Sequence, residues 1–401
     1  MNDLDREYTR THPWINFSLD LQRAPHALWL LLGEARSKCE RLGCIPLPPR
    51  MARGLLQVAL VKGLRGTTAI EGNTLTEEQV EKIVTKKPDV PPSQDYLKKE
   101  VENVLTALNG VTEELKESES NPRLTTGVIQ GFNRDVLRDL ELEEGVIPGA
   151  IRTYPVGVPP NYRGAPYQDC EYLVDRLCEW LEDSTNESLG LAMEIIKAIV
   201  AHLYMAWIHP FGDGNGRTAR LVEFHVLVTA GVPVVAAHLL SNHYNLTRDR
   251  YRRELSRASE SGGDVIPFIM YALEGFVEQL SDQLETIQQH ELGLSWRDFV
   301  NEYFELRTSP AEYRRKDLLM ALSSCAEPVK RRDIRTIHPR IEEAYRGKTR
   351  KTITRDLNWL KKHCLVLEND KGYSARVDII LGFLPFRRNI KSSSSIAPQQ
   401  L

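Results

Sequence analysis

One apolar stretch constrains the fold of this chain more than any other feature. Leu191, Ile195, Ile196, Ile199, Val200, Leu203 and Trp207 recur at helical spacing in a nearly unbroken apolar run. A helix that is apolar all round has no face to give to water, so the run predicts a buried central helix. His209 precedes Pro210, and a residue before proline is pushed out of the helical region, so the helix stops there.

The next twelve residues, 209–220, read His-Pro-Phe-Gly-Asp-Gly-Asn-Gly-Arg-Thr-Ala-Arg. Gly214 and Gly216 let the backbone turn sharply and approach a ligand closely. Their N–H groups, with that of Asn215, form a concave nest suited to phosphate oxygens. A second apolar helix follows, with Leu221, Val222, Phe224 and Val228, and its N-terminus favours an anion. Arg217 and Arg220 lie three apart and project from its first turn, each with a fork that fits phosphate. Asp213 is acidic beside this positive site, which makes sense if it holds Mg²⁺ together with phosphate oxygens. The inventory suits holding a polyphosphate while a base, His209, removes a proton beside it.

The segment resembles the signature of the Fic (filamentation induced by cAMP) family, His-Pro-Phe-x-Asp-Gly-Asn-Gly-Arg-x-x-Arg, at every fixed position. The resemblance implies a protein adenylyltransferase that moves AMP from ATP to a Ser, Thr or Tyr hydroxyl of a protein target. It implies that His209 is the general base and that Asp213 holds the metal. It implies that Gly214, Asn215, Gly216 and Arg217 cradle the phosphates, that Arg220 pairs with the γ-phosphate, and that Phe211 anchors the loop. The related Doc branch, which transfers phosphate, carries lysine where this chain has Gly216-Arg217, so AMP transfer is favoured.

Upstream, Thr67 to Asn73 matches the family's inhibitory pattern, Ser/Thr-x-x-x-Glu-Gly/Asn. Gly72 reads as a helix C-cap, and Thr74 or Thr76 as the cap of the next helix. Glu71 then sits at a helix end, where the dipole disfavours a carboxylate unless a cation offsets it. The resemblance supplies Arg220, 149 positions away. Between Gly149 and Pro166, apolar residues among prolines and glycines suit a short β-hairpin. In the family such a flap pairs with the target backbone as an added strand, and Arg152, Thr153, Val156 and Gly157 match it, with Asn161-Tyr162-Arg163-Gly164 as its turn. Tyr251 fits the family's adenine segment or is a plain core aromatic; the next residue, often a second tyrosine, is here Arg252.

The C-terminal part changes character. Residues 311–391 hold twenty Lys/Arg and ten Asp/Glu, a net of +10 that leaves −13 for the rest of a chain of net charge −3. Such asymmetry points to a separate module with a polyanionic partner. Helices over 314–323, 330–337 and 349–363, then strands over 365–367 and 375–379, resemble a winged helix. Lys348, Arg350, Lys351 and Arg355 would then face DNA phosphates.

The expected fold is mainly α: a Fic-type helical core with a β-hairpin flap and a winged-helix domain. Helices are expected over 25–43, 50–70, 76–85, 94–117, 124–139, 168–183, 189–208, 217–230, 247–260, 264–290 and 296–306. The expected divisions are an N-terminal helical extension (1–125), a catalytic core (126–295), the winged helix (296–390) and a disordered tail (391–401). With 41% hydrophobic and 27% charged residues the composition is that of an ordinary globular protein. We read no apolar run as approaching a membrane span, and the polar start argues against a signal peptide, so a cytoplasmic protein without membrane contact is expected. The six cysteines form no Cys-x-x-Cys pair and read as reduced, mostly buried thiols without zinc. Three functional readings stay open: an adenylyltransferase held down by Glu71, a DNA-associated regulator, and a de-AMPylase in which Glu71 directs a water. A homodimer stays open as well.

Overall fold

A computed structural model describes residues 6–87, 90–118, 122–158, 162–182 and 189–381. The N-terminal helices are α1 (Tyr8–Thr11), α2 (His26–Cys44), α3 (Pro49–Ala69), α4 (Glu77–Val84), α5 (Asp95–Glu117) and α6 (Thr126–Val136). A two-stranded antiparallel hairpin follows, β1 (Gly157–Val158) and β2 (Tyr162–Arg163), with Gly157 opposite Arg163. Then come α7 (Cys170–Leu181), α8 (Leu191–Ile208), α9 (Asn215–Thr229), α10 (Val234–Ala237), α11 (Leu239–Leu246), α12 (Arg248–Glu260) and α13 (Ile266–Tyr303). The remaining elements are α14 (Pro310–Ser323), α15 (Pro339–Ala344), α16 (Arg350–Lys362), β3 (Val366–Asn369) and β4 (Gly372–Ala375). Two compact units divide within α13, the first ending at Asp282 and the second beginning at Gln283.

Helix α8 is the centre of the first unit. Its buried residues include even Lys197 and His202, as an all-round apolar helix requires. It packs on α9, on α7 and on α2. One expectation needs correction here: α8 has the length and apolar composition to cross a membrane, although 83% of it is buried inside the protein. Helices α10 and α11 are missing from the sequence reading because they are short and begin after Pro233, where periodicity has too few turns to show. The two helices expected over 264–290 and 296–306 form one, α13. Gly293 lies between the two expected spans, but a glycine costs a helix only about 1 kcal/mol, and Trp296 and Val300 bury themselves just beyond it.

The second unit has its own core, built on Trp296, Phe304, Leu318, Tyr345, Leu357 and Tyr373 among others. Its order is helix, helix, helix and ribbon, with two shifts from expectation. The middle helix is Pro339–Ala344 rather than 330–337, because His338 caps it through Nδ1 and Pro339 opens it. The second strand is Gly372–Ala375 rather than 375–379, and Val377–Ile380 forms a 3₁₀ turn. Asp356, 1% exposed, accepts from Arg314 Nε at 2.7 Å, Arg315 Nε at 2.9 Å and the Tyr345 hydroxyl at 3.0 Å. Two of the basic charges counted in this module therefore hold its core. The cysteines also differ from expectation: only Cys39 and Cys170 are buried, and Cys44 and Cys364 are exposed. The tail 391–401 lies outside the described residues.

Candidate active site

Helix α8 ends where the sequence stops it, but the chain escapes differently. His209 takes φ 50°, ψ 58°, a left-handed C-cap, rather than the extended conformation expected before proline. Its N–H still bonds Met205 O at 3.0 Å. The carbonyls that end a helix need partners, and the hairpin supplies them. Tyr162 donates to Trp207 O at 2.8 Å, and Ala165 N–H donates to Ile208 O at 3.2 Å.

Arg152 completes this arrangement and corrects its assignment as a target contact. It is 4% exposed, and its Nε donates to His209 O at 2.7 Å and its Nη1 to Tyr154 O at 2.8 Å. Its Nη2 reaches Ala165 O and Ile208 O. A cation at a helix C-terminus also offsets the dipole. Arg152 thus fixes the base of the hairpin to the residue expected to act as base. Thr153 and Gly157 are exposed and Val156 is half-buried, so these remain open to a partner. Asn161 lies outside the described residues, and Tyr162 and Arg163 are strand rather than turn. Gly164 lies so close to His209 that a Cβ would stand 2.9 Å from that of the histidine. Arg152→Ala should lower stability by about 3 kcal/mol or more, since it strands several buried carbonyls at ~1–3 kcal/mol each. A urea melt checks this; an unchanged midpoint would refute the clamp.

The loop after His209 is closed by its own asparagine. Asn215 Oδ1 accepts from Phe211 N at 2.9 Å and its Nδ2 donates to Phe211 O at 2.8 Å. The side chain is therefore spent on the loop, which leaves only the backbone of Asn215 for a ligand. Phe211 is buried, as expected of an anchor. Asn133, which the sequence reading missed, pins the loop from α6: its Nδ2 donates to Asp213 O at 2.9 Å and its Oδ1 accepts from Gly149 N at 2.9 Å. The available signal was an amide on the apolar face of Ile129, Phe132 and Val136. Gly214 caps α9 at φ 76° without a side-chain cap, so the first-turn N–H groups point at the loop.

The anion site at this helix start is filled by a carboxylate of the protein. Gly72 takes φ 107° and Asn73 N–H reaches Thr68 O at 3.2 Å, which ends α3. Thr76, not Thr74, caps α4 in a capping box with Gln79. Between them, Glu71 Oε1 accepts from Arg220 Nη2 at 2.6 Å, and the same nitrogen donates to Thr67 O at 2.8 Å. The carboxylate stands over Gly216, where a Cβ would come within 2.1 Å of Oε1. Burial alone would raise the Glu71 carboxyl, but Arg220, with help from Arg217, holds it below its usual range. Arg220 is 2% exposed, and its Nε and Nη1 are buried with no partner. An unpaired buried guanidinium edge beside an anion-occupied helix start fits a second anionic ligand.

Arg217 is also taken: Nη1 donates to Glu100 Oε1 at 3.0 Å, and Nη2 lies 3.4 Å from both oxygens of Asp213. Glu100 is a further residue that the sequence reading missed, because nothing on α5 marks it. Asp213 has a half-exposed side chain, and Gly214 N–H donates to its Oδ1. No group of three metal-binding side chains occurs among the described residues. A single exposed carboxylate fits Mg²⁺ carried in on phosphates rather than a resident ion. Burial pushes the His209 imidazole down to about 4, which leaves it neutral at pH 7 and a weaker base than a free imidazole. Tyr251 is a core aromatic, 5% exposed, with its hydroxyl 2.8 Å from His202 Nε2 and its ring stacked on Tyr244. These contacts are those of a core aromatic.

Residues 123–227, which hold the whole loop, match the model of the Fic/DOC family. The chain matches that model over 105 of its 401 residues. It is 31% identical over 242 residues to a protein adenylyltransferase Fic of Nematostella vectensis, covering 60% of this chain and 52% of that one. It is 31% identical over 205 residues to the protein adenylyltransferase fic-1 of Caenorhabditis elegans, covering 51% and 37%. The chain thus spans about half, or less, of the length of these relatives. A Fic family protein from Desulfovibrio desulfuricans shares the fold at TM-score 0.53 and 20% identity, over 86% of this chain and 91% of that one. Fic-1 from Caenorhabditis elegans does so at TM-score 0.54 and 24% identity, over 65% and 73%. Glu71, Glu100 and their helices lie outside the matched family segment.

Proposed function

We propose that the protein is an adenylyltransferase that transfers AMP from ATP to a hydroxyl of a protein target and is held inactive by Glu71. The observation that carries this reading is the Glu71 carboxylate over Gly216 and on Arg220, where a polyphosphate would need to lie. The target oxygen attacks the α-phosphorus, pyrophosphate leaves, and His209 Nε2 or Nδ1 takes the hydroxyl proton. The first-turn N–H groups of α9, with Arg217 and Arg220, bind and orient the phosphates. Mg²⁺ held by Asp213 and phosphate oxygens would neutralise charge on the leaving group. The exposed Thr153 and Gly157, on either side of the half-buried Val156, support strand addition by a Ser, Thr or Tyr segment of the target. Incubation with Mg-ATP followed by intact-protein mass measurement tests this reading. Gain of one AMP by the Glu71→Gly protein supports it, and no gain on itself or any offered protein removes it.

A second reading concerns the basic module. Lys330, Arg331, Arg335, Arg350 and Lys371 line one cleft between the start of α16 and the β3–β4 ribbon. Lys348, Lys351 and Arg355 are exposed nearby. This distribution supports a DNA partner held through phosphates. Arg350→Ala with Lys351→Ala should weaken duplex binding, and affinity should fall steeply between low and moderate salt. A mobility-shift assay that finds no complex at low salt refutes it.

A further inference from the structure

Glu71 is not the only carboxylate that occupies a motif arginine. The shortest contact of Arg217 is to Glu100 Oε1, at 3.0 Å, against 3.4 Å to Asp213. Arg217 is 4% exposed and its Nε is buried without a partner. The other oxygen of Glu100 accepts from Asn73 Nδ2 at 2.9 Å. Asn73 also donates to Leu97 O at 2.8 Å and accepts from Leu75 N at 3.1 Å, and it is 6% exposed. Asn73 stands two residues from Glu71, in the turn that carries the inhibitory carboxylate. The contacts therefore form a chain: Asp213, Arg217, Glu100, Asn73, then through the turn to Glu71 and Arg220.

We propose that Glu100 is a second inhibitory carboxylate, which withholds Arg217 from the phosphates of ATP as Glu71 withholds Arg220. The inference rests on the adenylyltransferase reading above. A guanidinium on a carboxylate must leave it, or share its donors, before it can fork onto phosphate oxygens. Both oxygens of Glu100 are engaged, so the carboxylate is held in place rather than drifting in solvent. The pairing is enclosed: the Glu100 side chain is 19% exposed and that of Arg217 5%. Solvent therefore does little to weaken it. Through Asn73, the element that presents Glu71 and the element that presents Glu100 are fastened together. Each carboxylate then keeps the other in position, and the two motif arginines are withheld as a unit. The opposite role, Glu100 aiming Arg217 at the phosphates, predicts the opposite sign on substitution.

The test is steady-state AMP transfer from Mg-ATP, first for the single variants and then in the Glu71→Gly background. Glu100→Gln keeps the shape and removes the charge, and Glu100→Asp draws the charge back by one methylene. Each alone should raise transfer above wild type, by less than Glu71→Gly does. In the Glu71→Gly background, Glu100→Gln should lower the KM for ATP about fivefold, equivalent to ~1 kcal/mol, with kcat little changed. A KM that rises or stays the same in both double variants, while Glu71→Gly is active, overturns this role for Glu100 and leaves the proposed function standing. An inactive Glu71→Gly protein overturns the proposed function itself. Circular dichroism melts of Glu100→Gln and Glu100→Asp separate misfolding from a true loss, and the two substitutions do not share a steric fault.

Discussion

Replacing Glu71 by glycine should raise ATP-dependent self-modification by about tenfold or more, the equivalent of ~1.4 kcal/mol of barrier or binding. The carboxylate fills the place over Gly216 and holds Arg220 Nη2 at 2.6 Å, so its removal opens the helix start and frees the guanidinium together. Arg220 loses its counter-charge in a site where it is 2% exposed, and stability should fall. The Glu71 side chain is 35% exposed, so solvent screens the pair and the loss should be roughly 1–2 kcal/mol rather than the full cost of a buried pair. Saturating ATP should restore it by mass action, which a thermal melt with and without nucleotide measures. Arg220→Ala should not activate, because it removes a phosphate ligand and the contact with Thr67 O as well as the pair. An Arg220→Ala protein as active as Glu71→Gly would show that the pair matters only as a lock.

Replacing His209 by alanine in the Glu71→Gly protein should reduce transfer by about a thousandfold while the fold persists. The imidazole bonds back to its own helix at Ala206; the loop is closed by Asn215 on Phe211 and pinned by Asn133 on Asp213. The pH profile gives a second check. Burial depresses His209 to about 4, so the free enzyme keeps its base neutral well below the ordinary value of 6.5. The acid limb of kcat/KM assigned to this group should therefore lie nearer pH 4 than 6.5. The same depression makes the native state lose stability as pH falls from 6.5 toward 4, since the unfolded histidine takes a proton that the folded one refuses. His225, His238 and His243 are likewise pushed down to about 4 and add to that loss. Near-normal transfer by a folded His209→Ala protein would refute the base assignment.

Much of this site was legible because its chemistry is local. Residues 209–220 fix a turn, a loop and a helix start within twelve positions, and their joint spacing carries the reading. Gly72 was readable as a helix end for the same reason, and it takes φ 107°. What escaped was long-range. Arg152 reads as a residue of the target flap until the open carbonyls of α8, more than fifty positions later, turn it inward. Glu100 and Asn133 are single polar residues on helices, and only the folded chain brings them to Arg217 and Asp213. In the second unit the order of elements holds, but the middle helix stands elsewhere than expected, since Pro339 opens α15 beyond residues 330–337.

The central claim is that the nucleotide site transfers AMP and is closed by a carboxylate of the same chain. Glu71→Gly and wild-type proteins incubated with Mg-ATP labelled at the α- or the γ-phosphate test it most directly. The account predicts covalent label from the α-phosphate in the variant, far less in wild type, and none from the γ-phosphate in either. Incorporation from the γ-phosphate, or equal α-label in wild type and variant, would contradict it.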